Sequence, residues 1–177
     1  MALFIALIPC TDPLQDLVRA LTSLGFEPPP MHHITIVFLG DVSGAHMHKL
    51  LARLEGIDIE IPRAVRVVDV DALPPHKMTN IVLKLESSEL TKLREKLLKA
   101  LRIELRDAFA EYVPHLTVAR ARRPPPQEVV EKALRIVKTL VEEHGIRILK
   151  IQTLVAIESR GGKYRVVKEL QRADESR

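Results

Sequence analysis

Two four-residue phrases, His33-Ile34-Thr35-Ile36 and His115-Leu116-Thr117-Val118, constrain the fold of this 177-residue chain more than any other feature. Both lie in apolar runs with the character of buried β-strands. Side chains on a strand alternate between its two faces, so each His and Thr share one face while Ile34, Ile36, Leu116 and Val118 point into a core. Seven histidines and eight threonines should give a chance His-x-Thr about 0.3 times, so one copy means little and two copies with the same apolar positions mean more. For either histidine alone, half-buried strand packing is the favoured reading; for the pair, a shared site is. Neutral imidazole takes a proton and imidazolium gives one, and a pKa near ~6.5 populates both forms near neutrality.

Composition bounds the reading. The chain is 46% hydrophobic, enough for one domain or two small lobes sharing an interface. No apolar run approaches the ~20 residues of a membrane span, and Met1 to Cys10 lacks the basic region and cleavage site of a leader, so a cytoplasmic protein is expected. The lone Cys10 excludes an internal disulfide and a zinc-thiolate cluster, and is expected as a buried strand residue. A net charge of +4 and a pI near 9.3 suit an anionic ligand without requiring one. A single asparagine, Asn80, among many Lys, Arg and Glu resembles thermophile usage.

Along the chain, Ala2 to Pro9 forms a strand candidate, followed by Leu14, Leu17, Val18 and Leu21 at helical spacing behind an Asp12 or Thr11 cap. Pro28-Pro29-Pro30 interrupts, and His33 to Leu39 is the first tetrad strand, stopped at Gly40. A helix from Ser43 to about Leu54, extended segments from Ile57 to Val70 broken by Pro62, and a strand from Ile81 to Leu85 come next. Leu90, Leu93, Leu97, Leu98 and Leu101 mark one face of a helix from Ser88 to about Ile103. Pro114 introduces the second tetrad strand, which runs to Ala119. A helix from Gln127 to Glu143 opens behind Pro124-Pro125-Pro126, and Ile146 to Ile157 pairs with Tyr164 to Val167 in a hairpin turned at Gly161-Gly162.

Each half thus holds a tetrad strand, helices and further strands, as in an internal duplication whose two α+β lobes face a shared groove. Such a groove sets His33 and His115 on opposite sides of a ligand, as in-line displacement at phosphorus requires of a base and an acid. Thr35 and Thr117 can donate to non-bridging oxygens, and Arg120, expected just beyond the strand end at the groove mouth, can stabilise the transition-state charge. Arg122 and Arg123 extend a basic run that either tracks a polynucleotide backbone or is simply solvated.

The phrases His33-Ile-Thr-Ile-Val-Phe-Leu-Gly40 and Pro114-His-Leu-Thr-Val-Ala-Arg120, with a closing Gly-Gly-Lys-Tyr164 hairpin, resemble the 2H phosphoesterase superfamily, and within it the RNA 2′,3′-cyclic phosphodiesterase branch, also labelled 2′-5′ RNA ligase-like. The resemblance covers essentially the whole chain. It implies an α+β, bilobal, duplicated fold with two antiparallel sheets flanked by helices, one domain whose lobes interleave strands, no metal and no cofactor. It implies hydrolysis of a 2′,3′-cyclic phosphate end of RNA, tRNA fragments or cyclic nucleotides included, to a 2′-phosphate by a monomer. On that resemblance His33 is the proton donor to the leaving 3′-oxygen, His115 the acceptor that activates water, and Thr35, Thr117 and Arg120 hold the phosphate. ATP-independent 2′-5′ ligation, the reverse chemistry, and a non-catalytic RNA- or nucleotide-binding module are the alternatives.

With aromatics at 3% of the chain, no extended stacking platform for single-stranded RNA is available. Tyr164 and Phe38 are stacking candidates for which core packing is favoured. His46 and His48, two apart on a helix, face different ways; His32 lies on the strand face opposite His33; His76 is in a Pro-rich loop; His144 suits a helix C-terminus. No Gly-rich phosphate loop supports nucleoside triphosphate chemistry.

Overall fold

The computed structural model describes residues 1–103 and 111–173. Its element order is β1 (Ala2–Pro9), a 3-10 turn (Asp12–Leu14), α1 (Gln15–Thr22), β2 (Ile34–Asp41), α2 (Gly44–Ala52), β3 (Ala64–Leu73), β4 (Asn80–Leu85), α3 (Ser88–Leu101), β5 (His115–Arg120), α4 (Gln127–Glu143), β6 (Ile148–Arg160) and β7 (Lys163–Arg172). The α+β class expected from the sequence is the one that forms. All strand pairs are antiparallel, in the order β2-β1-β6-β3-β4-β5 with β7 also on β6. The two expected sheets are therefore joined: β6 pairs with β1 and β7 along Ile151–Arg160 and with β3 through Ile148–Lys150.

Most of the local structure follows from local chemistry. Ser43 caps α2 by accepting from the His46 amide at 3.1 Å. The five leucines anticipated on α3 are all buried, and α4 has the bounds its periodicity predicts. Gly161 and Gly162 take φ of +58° and +78°, which a tight β6–β7 turn of the primed type demands. Several expectations differ, the bounds of the first tetrad strand among them: β2 begins at Ile34, one residue after His33, and runs through Gly40 to Asp41. Residues 57–62 join no strand, Pro62 having no amide to offer a ladder, and β3 begins only at Ala64, after Arg63, whose carbonyl accepts from the Ile151 amide at 2.8 Å. Cys10 lies just past β1 and is half-buried rather than buried. Near the start of α1 neither Thr11 nor Leu14 makes a side-chain cap, so Asp12 serves there only as an acidic residue in the 3-10 turn.

Leu3, Ile5, Leu7, Ile34, Ile36, Ile81, Leu83, Leu116 and Val118 bring one face of the sheet into a single core with residues of all four helices. Helix packing does not follow chain halves: α1 lies on α4 and β5, while α3 lies on β2. The opposite face carries a small second cluster, Phe4, Ala6, Val155 and Ile157, edged by Ile8, Met31 and Tyr164.

On that second face the tetrad strands β2 and β5 come together. The Tyr112 hydroxyl, ahead of β5, donates to the Thr35 carbonyl at 2.8 Å, and His32 Nε2 bonds the Val118 carbonyl at 3.0 Å. Glu27 and Arg120 exchange backbone hydrogen bonds of 2.8 and 2.7 Å. Burial pushes the Tyr112 phenol pKa up, so it stays a donor. Replacing Tyr112 with Phe removes one part-buried hydrogen bond and should lower unfolding free energy by about 1 kcal/mol in urea denaturation; an unchanged midpoint and slope would show that the bond holds nothing together.

Candidate active site

His33 and His115 are placed by the same device. His33 Nδ1 lies 2.8 Å from the Met31 carbonyl and His115 Nδ1 lies 2.7 Å from the Val113 carbonyl, each two residues upstream. A carbonyl only accepts, so both Nδ1 atoms carry a proton and both Nε2 atoms are left for proton exchange with a ligand. The two rings are close enough to interact electrostatically: positive charge on His115 lowers the pKa of His33.

Their surroundings differ. The His33 ring lies 5.0 Å from Phe4 and 5.6 Å from Tyr164 by centroid, the tyrosine edge-on. Burial, and after it the charges of His115 and His32, hold the His33 pKa below the usual histidine value against the Met31 carbonyl, which raises it. Tyr164 thus borders the site as well as packing on Phe4.

Both threonines sit beside their histidines on the face opposite the core, Thr35 across from Ala6 and Thr117 across from Val82. A β-bulge follows each. Ile5 pairs with Val37 and Ala6 with Thr35, leaving Ile36 extra; Ile81 pairs with Ala119 and Val82 with Thr117, leaving Val118 extra. Two consecutive residues after each threonine are buried in the core, and the third returns to the groove face: Phe38 after Thr35, Arg120 after Thr117. Phe38, expected in the core, is instead 51% exposed. Arg120 is the last residue of β5 rather than a residue beyond it.

Arg120 is half-buried and makes no ion pair with any described residue, whereas Arg122 is held by both carboxylate oxygens of Glu27 at 3.1 and 3.2 Å. Of the basic run, Arg122 is therefore occupied internally. Sequence reasoning missed Tyr112, which has no motif around it, and Lys84, which stands across from His115 on β4 and reaches Asp71 at 2.9 Å. His144 pairs with Asp16 at 3.4 Å, away from the tetrads. No cluster of three His, Cys, Asp or Glu side chains suited to a metal occurs among the described residues, and no described helix is long and apolar enough to cross a membrane.

Several solved structures share the fold. The chain matches the TT0787 protein of Thermus thermophilus at a TM-score of 0.64 and 22% identity, over 99% of this chain and 100% of that one. It matches E. coli LigT, solved with phosphate, at 0.53 and 16% over 97% and 94%, and Usb1 of Kluyveromyces marxianus at 0.52 and 10% over 94% and 97%. No curated protein matches it in sequence. The sequence profile of the 2′-5′ RNA ligase superfamily matches residues 11–149, a span that includes both tetrads, and the chain belongs to that superfamily.

Proposed function

We propose that the protein hydrolyses a terminal 2′,3′-cyclic phosphate of RNA to a 2′-phosphate by two-histidine acid-base catalysis without a metal. The observation that carries the reading is the matched pair of Nδ1–carbonyl bonds, which leaves two Nε2 atoms at the starts of β2 and β5, each with a threonine two residues on. Membership in the 2′-5′ RNA ligase superfamily and the phosphate-bearing molecules bound in LigT structures, phosphate, ATP, NADP+ and 3′-AMP, agree with it. The same repeated bulge and histidine bond support a single domain of two duplicated lobes with interleaved strands.

In this mechanism His115 Nε2 takes a proton from water as the water oxygen bonds to phosphorus. The bond to the 3′-oxygen breaks on the far side, and His33 Nε2 delivers its proton there. The Thr35 and Thr117 hydroxyls donate to the non-bridging oxygens, and the Arg120 guanidinium offsets the charge that accumulates on them. The choice of leaving oxygen and of donor follows the family resemblance. A protonated His33 is costly in the empty groove because burial disfavours the charged ring, and a bound phosphate anion offsets that cost.

Incubating the protein, with EDTA present, with a short RNA ending in a 2′,3′-cyclic phosphate should give a 2′-phosphate by phosphorus NMR. Single replacement of His33 or His115 by alanine should lower the rate by about 10²–10⁴-fold, the usual contribution of a general acid or base. Stoichiometric binding without turnover would instead identify a binding module. In a proton NMR titration, His33 should show a midpoint below that of an exposed histidine, and saturating inorganic phosphate should raise it. A midpoint that phosphate leaves in place would mean that the anion does not sit beside His33.

A further inference from the structure

His32, which stands next to His33 ahead of β2, takes no part in the proton transfers above, yet it is half-buried and tied across the groove. Its Nε2 lies 3.0 Å from the Val118 carbonyl. A carbonyl only accepts, so His32 carries a proton on Nε2, whereas the Met31 carbonyl keeps the proton of His33 on Nδ1. The two neighbouring imidazoles thus have opposed tasks. His32 gives its N–H to a strand, and His33 leaves Nε2 for a ligand.

The carbonyl that His32 reaches belongs to the bulge. Val118 is the extra residue of β5, and it lies between Thr117 and the return of Arg120 to the groove face. A bulge interrupts the regular ladder, so a donor from outside the sheet steadies it. Strands β2 and β5 stand at opposite ends of the strand order, and no ladder bond sets one against the other. Glu27 holds the end of β5 through its backbone pair with Arg120, and His32 meets the bulge itself. Because His32 and His33 are consecutive, one short stretch of chain places the His33 ring and also ties down the strand that carries Thr117 and Arg120.

We propose that His32 is a positioning residue: through its Nε2–H to Val118 it sets Thr117 and Arg120 at the distance from His33 and Thr35 at which one phosphate meets them all. The inference rests on the phosphodiesterase reading, because only a phosphate shared by both tetrads makes their separation matter. The bond needs the N–H and not a charge. Around His33 stand His115 of β5, Tyr164 of β7 and Phe4 of β1, and the charges of His115 and His32 both disfavour its imidazolium. A neutral donor at position 32 therefore keeps the strand in place without opposing the protonation of His33.

His32→Gln and His32→Asn separate reach from charge. Both remove the titrating ring; the glutamine amide nitrogen extends as far from Cβ as imidazole Nε2 does, and the asparagine one stops short, at the position of Nδ1. Inorganic phosphate is titrated into the full chain and into each variant, with proton NMR at the His33 and His115 rings as the readout. The glutamine variant should hold phosphate within about twofold of the parent, and the asparagine variant about tenfold more weakly, the loss of one charge-assisted hydrogen bond to the anion. Hydrolysis of 2′,3′-cyclic AMP should rank the three proteins in the same order. In both variants the His33 midpoint should rise, a readout that a merely structural role for His32 does not move. Equal phosphate affinity in the two variants overturns the positioning role, and so does a His33 midpoint that neither variant raises. A glutamine variant that loses phosphate tenfold overturns it too, whatever the asparagine variant does. If the phosphate affinities rank as expected while cyclic AMP is never hydrolysed, the phosphodiesterase reading fails and the positioning role stands; if the parent hydrolyses it and the two variants match each other, the positioning role alone fails.

Discussion

Strand β6 is the constraint on which the remaining geometry depends. Thirteen residues long, it pairs along one edge with β1 and along the other with β7 and then β3. Strand β2, which His33 immediately precedes, and β5, which begins at His115, lie at opposite ends of the sheet order, so nothing in the ladder itself brings them together. A twisted antiparallel sheet hinged on one long strand can fold its two ends toward each other. Among the described residues, the bonds that bridge the two ends include Tyr112 to Thr35, His32 to Val118, the backbone pair of Glu27 with Arg120 and the Glu27–Arg122 ion pair. The core on the helical face fixes the sheet, and these bonds fix the groove.

The bulges turn that scaffold into a site with two different ends. Without an extra residue, alternation from Thr35 would send Val37 to the groove and Phe38 to the core, and from Thr117 would send Ala119 to the groove and Arg120 inward. With the extra residue, the pair after each threonine is buried and the third residue returns to the groove face. One repeated backbone irregularity thus presents an aromatic ring at one end and a guanidinium at the other. The chemical difference lies wholly in the side chains.

What the sequence disclosed follows the same division. His33, Thr35, His115 and Thr117 were legible because strand alternation needs only local pattern, and α3 and α4 because leucine and valine at helical spacing fit no other element. The bulges were not legible: Ile36 and Val118 are β-branched residues indistinguishable from ordinary strand positions, with no glycine to mark them. Plain alternation would send Phe38 inward, in line with the core packing favoured for it, whereas the bulge leaves it exposed. The crossing of α1 to β5 and of α3 to β2 is a tertiary choice between equally apolar surfaces, and local periodicity does not encode it. Tyr112 looks like any aromatic ahead of a strand until its hydroxyl finds Thr35.

In the proposed mechanism, two histidines positioned alike cannot by geometry alone divide the labour of acid and base, so the division would come from what surrounds them. His33 lies against Phe4 and Tyr164, where burial disfavours imidazolium and the charge of His115 disfavours it further. In an empty groove it therefore rests neutral across more of the pH range than a solvated histidine does. An anion bound between the threonines reverses the balance, since a negative charge within ~4–6 Å favours the charged ring. On the proposed reading, with His33 as the donor, the site would gain its acid together with the bound phosphate, since the anion that takes the proton is also the charge that favours it. Burial of His33, which packs against Phe4 and Tyr164, disfavours its charged form.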